Sequence, residues 1–450
     1  MMNQIKQMML VVTLVSCSIA VVAQNDSVAA GQHRLLNMSP AISGERKVPT
    51  DPRMAWYPKA GLGVFFHWGA IATYGGGDLS WCMMANKGWP DDGTVTPNYY
   101  YSLMNTWNPS KYNPDDIIKQ LKAAGFEYAV LTTKHHDGYT LWPTKYGELG
   151  THTKMKGRDL VKPFIDACRK YGVKVGLYYS PPDWWFDRKY MNFDYSEKSF
   201  LDMDHKKLTA LVPKPAGHDA KRREMVANQV RELLTNYGKI DLMWFDGGQG
   251  EISNDEVRKL QPGIVINRRN GPTGDFDHTE GELPKSRTNG WFETCDPIWP
   301  TRWWAYSASD YYDDASTVLV NLIRLRAWGS NYLTNVALDG QGALPEPAFK
   351  PMHDMAEWMK HSKEAVTNVE GGNYPEKSAV PVTVAPNTIY AFAFPNYQTE
   401  LKISTSAKPR KAVLLRTGQT LKYRQEGDFL FVTIPPKDRT RMPDAVKISF

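Results

Sequence analysis

The sequence predicts an α/β fold: a (β/α)8 TIM-like barrel over residues 51–370 followed by a C-terminal antiparallel β-sandwich over 371–450. Three observations predict it. From about residue 60, short apolar runs alternate with amphipathic helical stretches; chemically active residues stand at the C-terminal ends of many different runs; and beyond residue 366 only short strand-like segments remain. Repeated strand and helix argue for a parallel sheet covered on both faces. An open doubly wound sheet gathers its chemistry at one switch point, whereas a barrel spreads it over the ends of several strands.

Taken in order, 61–66 reads as a strand, 114–124 as a helix entered through Pro114, and 127–133 as a strand. A helix over 158–171 stops at Gly172, a strand follows at 173–179, and a helix over 221–237 stops at Gly238 before the strand 240–245. Glycine just past a helix supplies the positive φ of a C-terminal cap. Strands at 264–266, 291–293 and 332–337 and a helix at 315–328 complete the expected barrel. The segments 381–384, 388–392, 400–403, 411–415, 429–434 and 445–449, separated by turn residues, predict the sandwich, with the boundary at Gly371-Gly372.

Composition narrows the function. With 450 residues, 23% charged, 34 Gly and 30 Pro, disordered and collagenous chains are excluded. The 54 basic and 48 acidic residues are dispersed, so a nucleic-acid partner is not expected. Cysteines at 17, 82, 168 and 295 form no Cys-x-x-Cys pair, which predicts neither a disulfide framework nor a structural metal. Residues 1–23, with Lys6, an apolar stretch from Met8 to Val22 and then Ala23, read as a signal peptide of an exported protein, periplasmic or secreted if bacterial, with 24–50 as a linker. Leu14-Val15-Ser16-Cys17 offers a weaker alternative, a lipid anchor on Cys17. No other run reaches the roughly 18 apolar residues of a membrane span, and no strand is followed by a Gly-x-Gly-x-x-Gly or P-loop motif.

The polar residues at strand ends are the candidates for chemistry. His67 follows the first strand and His135-His136 the second; Tyr178 and Tyr179 end the third, Asp246 follows Trp244-Phe245, and Arg268-Arg269 follow 264–266. Neighbouring histidines on a strand face opposite ways, so hydrogen bonding to a hydroxylated ligand fits His135 and His136 better than chelation. Asp246 closes an apolar strand, where a bare carboxylate is costly, and Gly247-Gly248 leaves room for a ligand. A nucleophilic carboxylate needs a second carboxyl group, about 5 to 5.5 Å away if configuration is retained. Glu280, Glu282 and Glu293, expected on the next two strand-end loops, are candidates that spacing does not rank. Trp81, Trp142, Trp184, Trp185, Trp244, Trp291, Trp303 and Trp304 fall in or beside these ends, as expected for a rim that stacks on sugar C–H faces.

These residues resemble a known family. Phe66-His67-Trp68-Gly69, Leu131-Thr-Thr-Lys-His-His-Asp-Gly-Tyr-Thr-Leu-Trp-Pro143, Gly176-Leu-Tyr-Tyr-Ser180, Trp244-Phe-Asp-Gly247 and Gly274-Asp-Phe-Asp-His-Thr-Glu280 are similar to motifs of the α-L-fucosidases of glycoside hydrolase family 29, in consistent order from about Trp56 to Val366. The resemblance implies a retaining exo-hydrolase of fucosylated glycans that needs no cofactor, with Asp246 as nucleophile and a pocket of His67, Trp81, His135, His136, Tyr178, Arg269 and Trp304. It implies Glu280 as the first choice for acid/base and Glu293 as the second. One departure is Ser80-Trp81-Cys82, where the family carries Glu-Trp-Tyr. Loss of a buried charge-assisted hydrogen bond, worth about 1.5 to 3 kcal/mol, could shift the preferred sugar. The alternatives are therefore an exo-glycosidase on another sugar such as an L-galactoside, and a catalytically weak carbohydrate-binding protein.

Overall fold

Continuous apolar runs call for cover over both faces of a parallel sheet, and most of the barrel strands are of this kind. The strands are β1 (Leu62–Phe66), β2 (Tyr128–Lys134), β3 (Lys174–Tyr179), β4 (Leu242–Phe245), β5 (Val265–Ile266), β6 (Phe276–Glu280), β7 (Trp291–Trp299) and β8 (Asn331–Val336). The computed structural model describes residues 48–87, 95–248, 250–299, 303–308, 312–395 and 399–450; the expected signal segment, Cys17 and most of the 24–50 linker lie outside the described residues. All eight strands pair in parallel in the order β5-β4-β3-β2-β1-β8-β7-β6, and a bridge from Asn267 to Phe276 joins the two end strands.

The helices α1 (Pro114–Ala123), α2 (Val161–Lys170), α3 (His218–Thr235), α4 (Asn254–Leu260), α5 (Ala315–Ala327) and α6 (Phe349–Ser362) cover the barrel. Their ends follow local chemistry. Asn113, Ser253 and Asp314 cap the first turns of α1, α4 and α5 through their side chains, and Gly172, Gly238 and Gly329 take positive φ just past α2, α3 and α5.

Strand alternation separates two cores. Phe65, Tyr178, Leu242, Trp244, Trp291 and Leu333 fill the barrel interior, while Phe66, Tyr179, Met243 and Phe245 pack outward against the helices. Two segments depart from expectation. Phe276-Asp-His-Thr-Glu280, with one apolar residue, gave no strand signal, yet register with β7 makes it β6. The second is α6, which was not foreseen.

The C-terminal region forms two antiparallel sheets. One orders Glu370–Gly371, Val382–Ala385, Thr388–Ala393, Asp444–Ser449, Lys411–Leu414 and Gln419–Thr420; the other orders Glu400–Ser404, Phe429–Thr433 and Lys422–Glu426. Val382, Leu401, Leu414, Leu430, Val446 and Ile448 pack between them. Lys422–Glu426 is exposed throughout, which explains why apolar patterning missed it. Trp358 of α6 donates to the Pro443 carbonyl at 2.7 Å and anchors this region to the barrel. Cys82, Cys168 and Cys295 are free and buried. Among the described residues no helix is long and apolar enough to cross a membrane.

Candidate active site

The same alternation that fills the barrel aims its last residues into a cavity of about 260 Å³ at the C-terminal ends of the strands. It is lined by His67, Trp81, His135, His136, Tyr178, Asp246, Arg269, Glu280 and Trp304, with Phe65, Asp78, Lys87, Tyr195, Trp244 and Cys295. Every pocket residue expected from the sequence is therefore brought together. On β3 only Tyr178 enters; Tyr179 points outward and donates to Gln229 at 2.6 Å.

The two carboxylates are linked by one guanidinium. Arg269 donates from Nη1 to Asp246 and from Nη2 to Glu280. Tyr178 Oη donates to Asp246 Oδ2 at 2.5 Å, and His136 Nε2 lies 3.5 Å from the same oxygen. Burial would raise the Asp246 pKa, but Arg269 above all, with the imidazoles and the Tyr178 hydroxyl, holds it well below the usual carboxylate range. At Glu280 burial is likewise overcome, by Arg269 and then by the hydrogen bond from His278, 3.3 Å away, and the pKa is lowered.

Burial pushes the His67 and His136 pKa values down to about 4 and that of His135 well below its ordinary value, so all three imidazoles are neutral at pH 7. Each Nδ1 is engaged. His67 Nδ1 lies 2.9 Å from Asn335 Oδ1, His135 Nδ1 2.6 Å from Ser80 Oγ, and His136 Nδ1 2.5 Å from Ser180 Oγ. The Nε2 edges of His67 and His135 remain for a ligand. Asn335 also donates to the Trp304 carbonyl at 2.7 Å, tying two pocket walls together. Neutral donors and acceptors among aromatic faces suit a polyhydroxylated ligand with apolar C–H surfaces.

Glu293 stands elsewhere. In the β6–β7 register Glu280 pairs with Cys295 and His278 with Glu293, so Glu280 is level with the pocket and Glu293 one layer deeper, about 6.6 Å at two residues of strand rise. It is fully buried, receives hydrogen bonds from Tyr128 Oη (2.6 Å), Trp244 Nε1 (3.1 Å) and Tyr57 Oη (3.3 Å), and burial pushes its pKa up to about 7. The expectation that both glutamates sit on strand-end loops is thus corrected: Glu280 is the last residue of β6 and Glu293 is inside β7. The tryptophan rim is corrected too. Trp81, Trp244 and Trp304 line the pocket, whereas Trp291 fills the barrel interior and Trp142 packs in the outer core.

Asp78, Lys87 and Tyr195 were not anticipated, because none ends a barrel strand. Lys87 Nζ lies 5.0 Å from the Trp81 ring centroid and 4.6 Å from that of Tyr195. Two groups among the described residues bring possible metal ligands within 4.8 Å: His135, His136 and Asp246, and Asp187, His218 and Asp219. In the first, Arg269 already supplies the positive charge beside Asp246; in the second, Lys214 bridges Asp187 and Asp219. In each group, then, a basic side chain of the protein already pairs with a carboxylate.

Residues 28–364 match the sequence model of a family described as Alpha-L-fucosidase. The tissue alpha-L-fucosidase of Bos taurus is 26% identical, with 87% of this chain and 86% of that protein aligned. The tissue alpha-L-fucosidase of Homo sapiens is 25% identical over 70% of this chain and 69% of its own length. Among solved structures, alpha-L-fucosidase isoenzyme 1 from Paenibacillus thiaminolyticus superposes with a TM-score of 0.76 at 26% identity, covering 89% of this chain and 99% of that one.

Proposed function

The chain belongs to the α-L-fucosidase family of glycoside hydrolases, and from that premise we propose that it removes terminal α-L-fucosyl residues from glycans by double displacement with retention of configuration. The observation that carries this reading is the Arg269 guanidinium spanning Asp246 and Glu280. One planar fork reaching both carboxylates supports the short spacing of a retaining pair, about 5 to 5.5 Å, over the roughly 6.5 to 9.5 Å of an inverting one.

In this mechanism Asp246, held ionised by Arg269 and Tyr178, attacks the anomeric carbon and forms a covalent glycosyl ester. Glu280 gives a proton to the departing glycosidic oxygen and then takes one from the water that cleaves the ester. Glu280 must be protonated for the first step, so a bound sugar has to draw Arg269 off it; the salt link favours the ionised form until then. His67, His135, His136 and Tyr178 offer hydrogen bonds to the ring hydroxyls, and Trp81 and Trp304 offer apolar faces. Glu293, one layer beneath the pocket and surrounded by three donors, supports a structural role and favours Glu280 as acid/base.

The test is hydrolysis of an aryl α-L-fucoside, with NMR of the first-formed anomer. Release of the α-anomer, abolished by Asp246→Asn, is expected. Release of the β-anomer, or unchanged turnover in Asp246→Asn, refutes the mechanism. The apolar stretch from Met8 to Val22 supports export, which the intact mass of the exported chain, starting after Ala23, would test.

A further inference from the structure

We propose that Asp78 is a substrate-recognising carboxylate, accepting a hydrogen bond from a ring hydroxyl of the terminal sugar while Ser80 is committed to orienting His135. The inference rests on the fucosidase reading and adds to it a binding residue.

Three carboxylates line the pocket: Asp78, Asp246 and Glu280. Two are held by Arg269. The third has no side-chain hydrogen bond or ion pair among the described residues; Lys87, the cation whose field reaches it, lies over the Trp81 and Tyr195 rings. A half-buried carboxyl group without a donor is poised for one that arrives with a ligand. Burial pushes the Asp78 pKa up to about 7, with Lys87 opposing, as expected for a carboxylate short of donors.

The backbone on either side is shaped to hold this position. Gly77 has φ +136°, and a Cβ there would lie 2.2 Å from Cys82 Sγ. The Asp78 N–H donates to that same sulfur at 2.8 Å. Leu79 is held at φ +44°, a region L-residues avoid, with its side chain buried. Strain of this kind at a cavity wall persists where the surrounding structure over-determines it. The turn directs Asp78 into the pocket and leaves Ser80 facing the histidines. Ser80 Oγ accepts from the Asp137 N–H at 2.7 Å and meets His135 Nδ1 at 2.6 Å, so both of its hydrogen bonds are to the protein.

The experiment measures kcat and KM for wild type, Asp78→Ala and Asp78→Asn on an aryl α-L-fucoside and on its 2-, 3- and 4-deoxy analogues. Asp78→Ala is expected to lower kcat/KM on the parent by about 10- to 150-fold, the range for losing a charge-assisted hydrogen bond. Asp78→Asn, which keeps the shape of the wall and a neutral acceptor, should fall in between and covers the case in which the alanine variant does not fold. On the one deoxy analogue lacking the contacted hydroxyl, both variants should lose less than about threefold, as the coupling of two interacting groups requires. Equal losses on all four substrates would mean a structural role and overturn the proposal, as would no loss on the parent. Wild-type turnover of the parent separates the two claims. If it is absent, the fucosidase reading falls and the role of Asp78 with it; if it is present and Asp78→Ala is indifferent, only the role of Asp78 falls.

Discussion

Replacing Glu293 by Gln separates a structural glutamate from a catalytic one. In the folded protein burial lifts the Glu293 pKa from its ordinary 4.5 to about 7, although Tyr128, Trp244 and Tyr57 all donate to the carboxyl group. A group whose folded pKa is raised contributes stability that is complete below about pH 4.5 and is lost as pH climbs through 7; at about 1.4 kcal/mol per pH unit the span is worth roughly 3 kcal/mol. Glutamine does not titrate, so Glu293→Gln removes this slope. Its amide can accept from the two tyrosines but then turns an N–H toward Trp244 Nε1–H, leaving a donor unsatisfied at about 1 to 3 kcal/mol. Thermal unfolding from pH 5 to pH 8 should show the variant less stable than wild type near pH 5, with the gap closing toward pH 8. On an aryl α-L-fucoside kcat should change by less than about tenfold, whereas Glu280→Gln, which removes the proton donor, should lose about 10²- to 10⁴-fold and be rescued by azide. A stability gap independent of pH would refute the placement of Glu293. A hundredfold loss of kcat in Glu293→Gln, restored by azide, would make it the acid/base and refute the assignment of Glu280.

Asp246→Asn should reduce turnover by orders of magnitude and, because the ionised carboxylate is the form that Arg269 and Tyr178 stabilise, lower the melting temperature at pH 7, which a fucoside assay and calorimetry check together. Arg269→Lys keeps the unit charge but replaces a fork that reaches two carboxylates by a single ammonium; shared between Asp246 and Glu280 it stabilises the ionised Asp246 less, so the Asp246 pKa rises and the acid limb of the kcat/KM profile should move to higher pH. An unmoved limb would show that another group sets it. Tyr178→Phe deletes the 2.5 Å hydrogen bond to Asp246 and should shift the same limb in the same direction, by less than Arg269→Lys. Asn335→Ala releases the His67 Nδ1 and the Trp304 carbonyl together. It should raise KM more than it lowers kcat, and an unchanged KM would argue against that pair as a pocket wall.

What could be read before the structure was whatever lies within two residues of a buried strand's end. His67, His135, His136, Tyr178 and Asp246 all stand there, and the apolar run before each marks both the strand and its polarity. Alternation shows that Tyr178 and Tyr179 face opposite ways, but which of them faces inward follows only from the register that sets Tyr178 opposite Trp244. Two kinds of position escaped. The first depends on register between strands, which no local pattern encodes: β6 has one apolar residue in five, so nothing in its sequence shows that His278 lies opposite Glu293 and Glu280 opposite Cys295. That pairing, more than any motif, lifts one glutamate into the pocket and sinks the other beneath it. The second depends on loops folding back over the mouth. Asp78 enters by way of a left-handed leucine, a conformation disfavoured by local propensity and held by tertiary contacts. The chemistry common to a barrel's strand ends is thus written in single strands, whereas the features that rank its acids and tune its pocket arise between strands and between loops, where one residue's role is set by what stands opposite it.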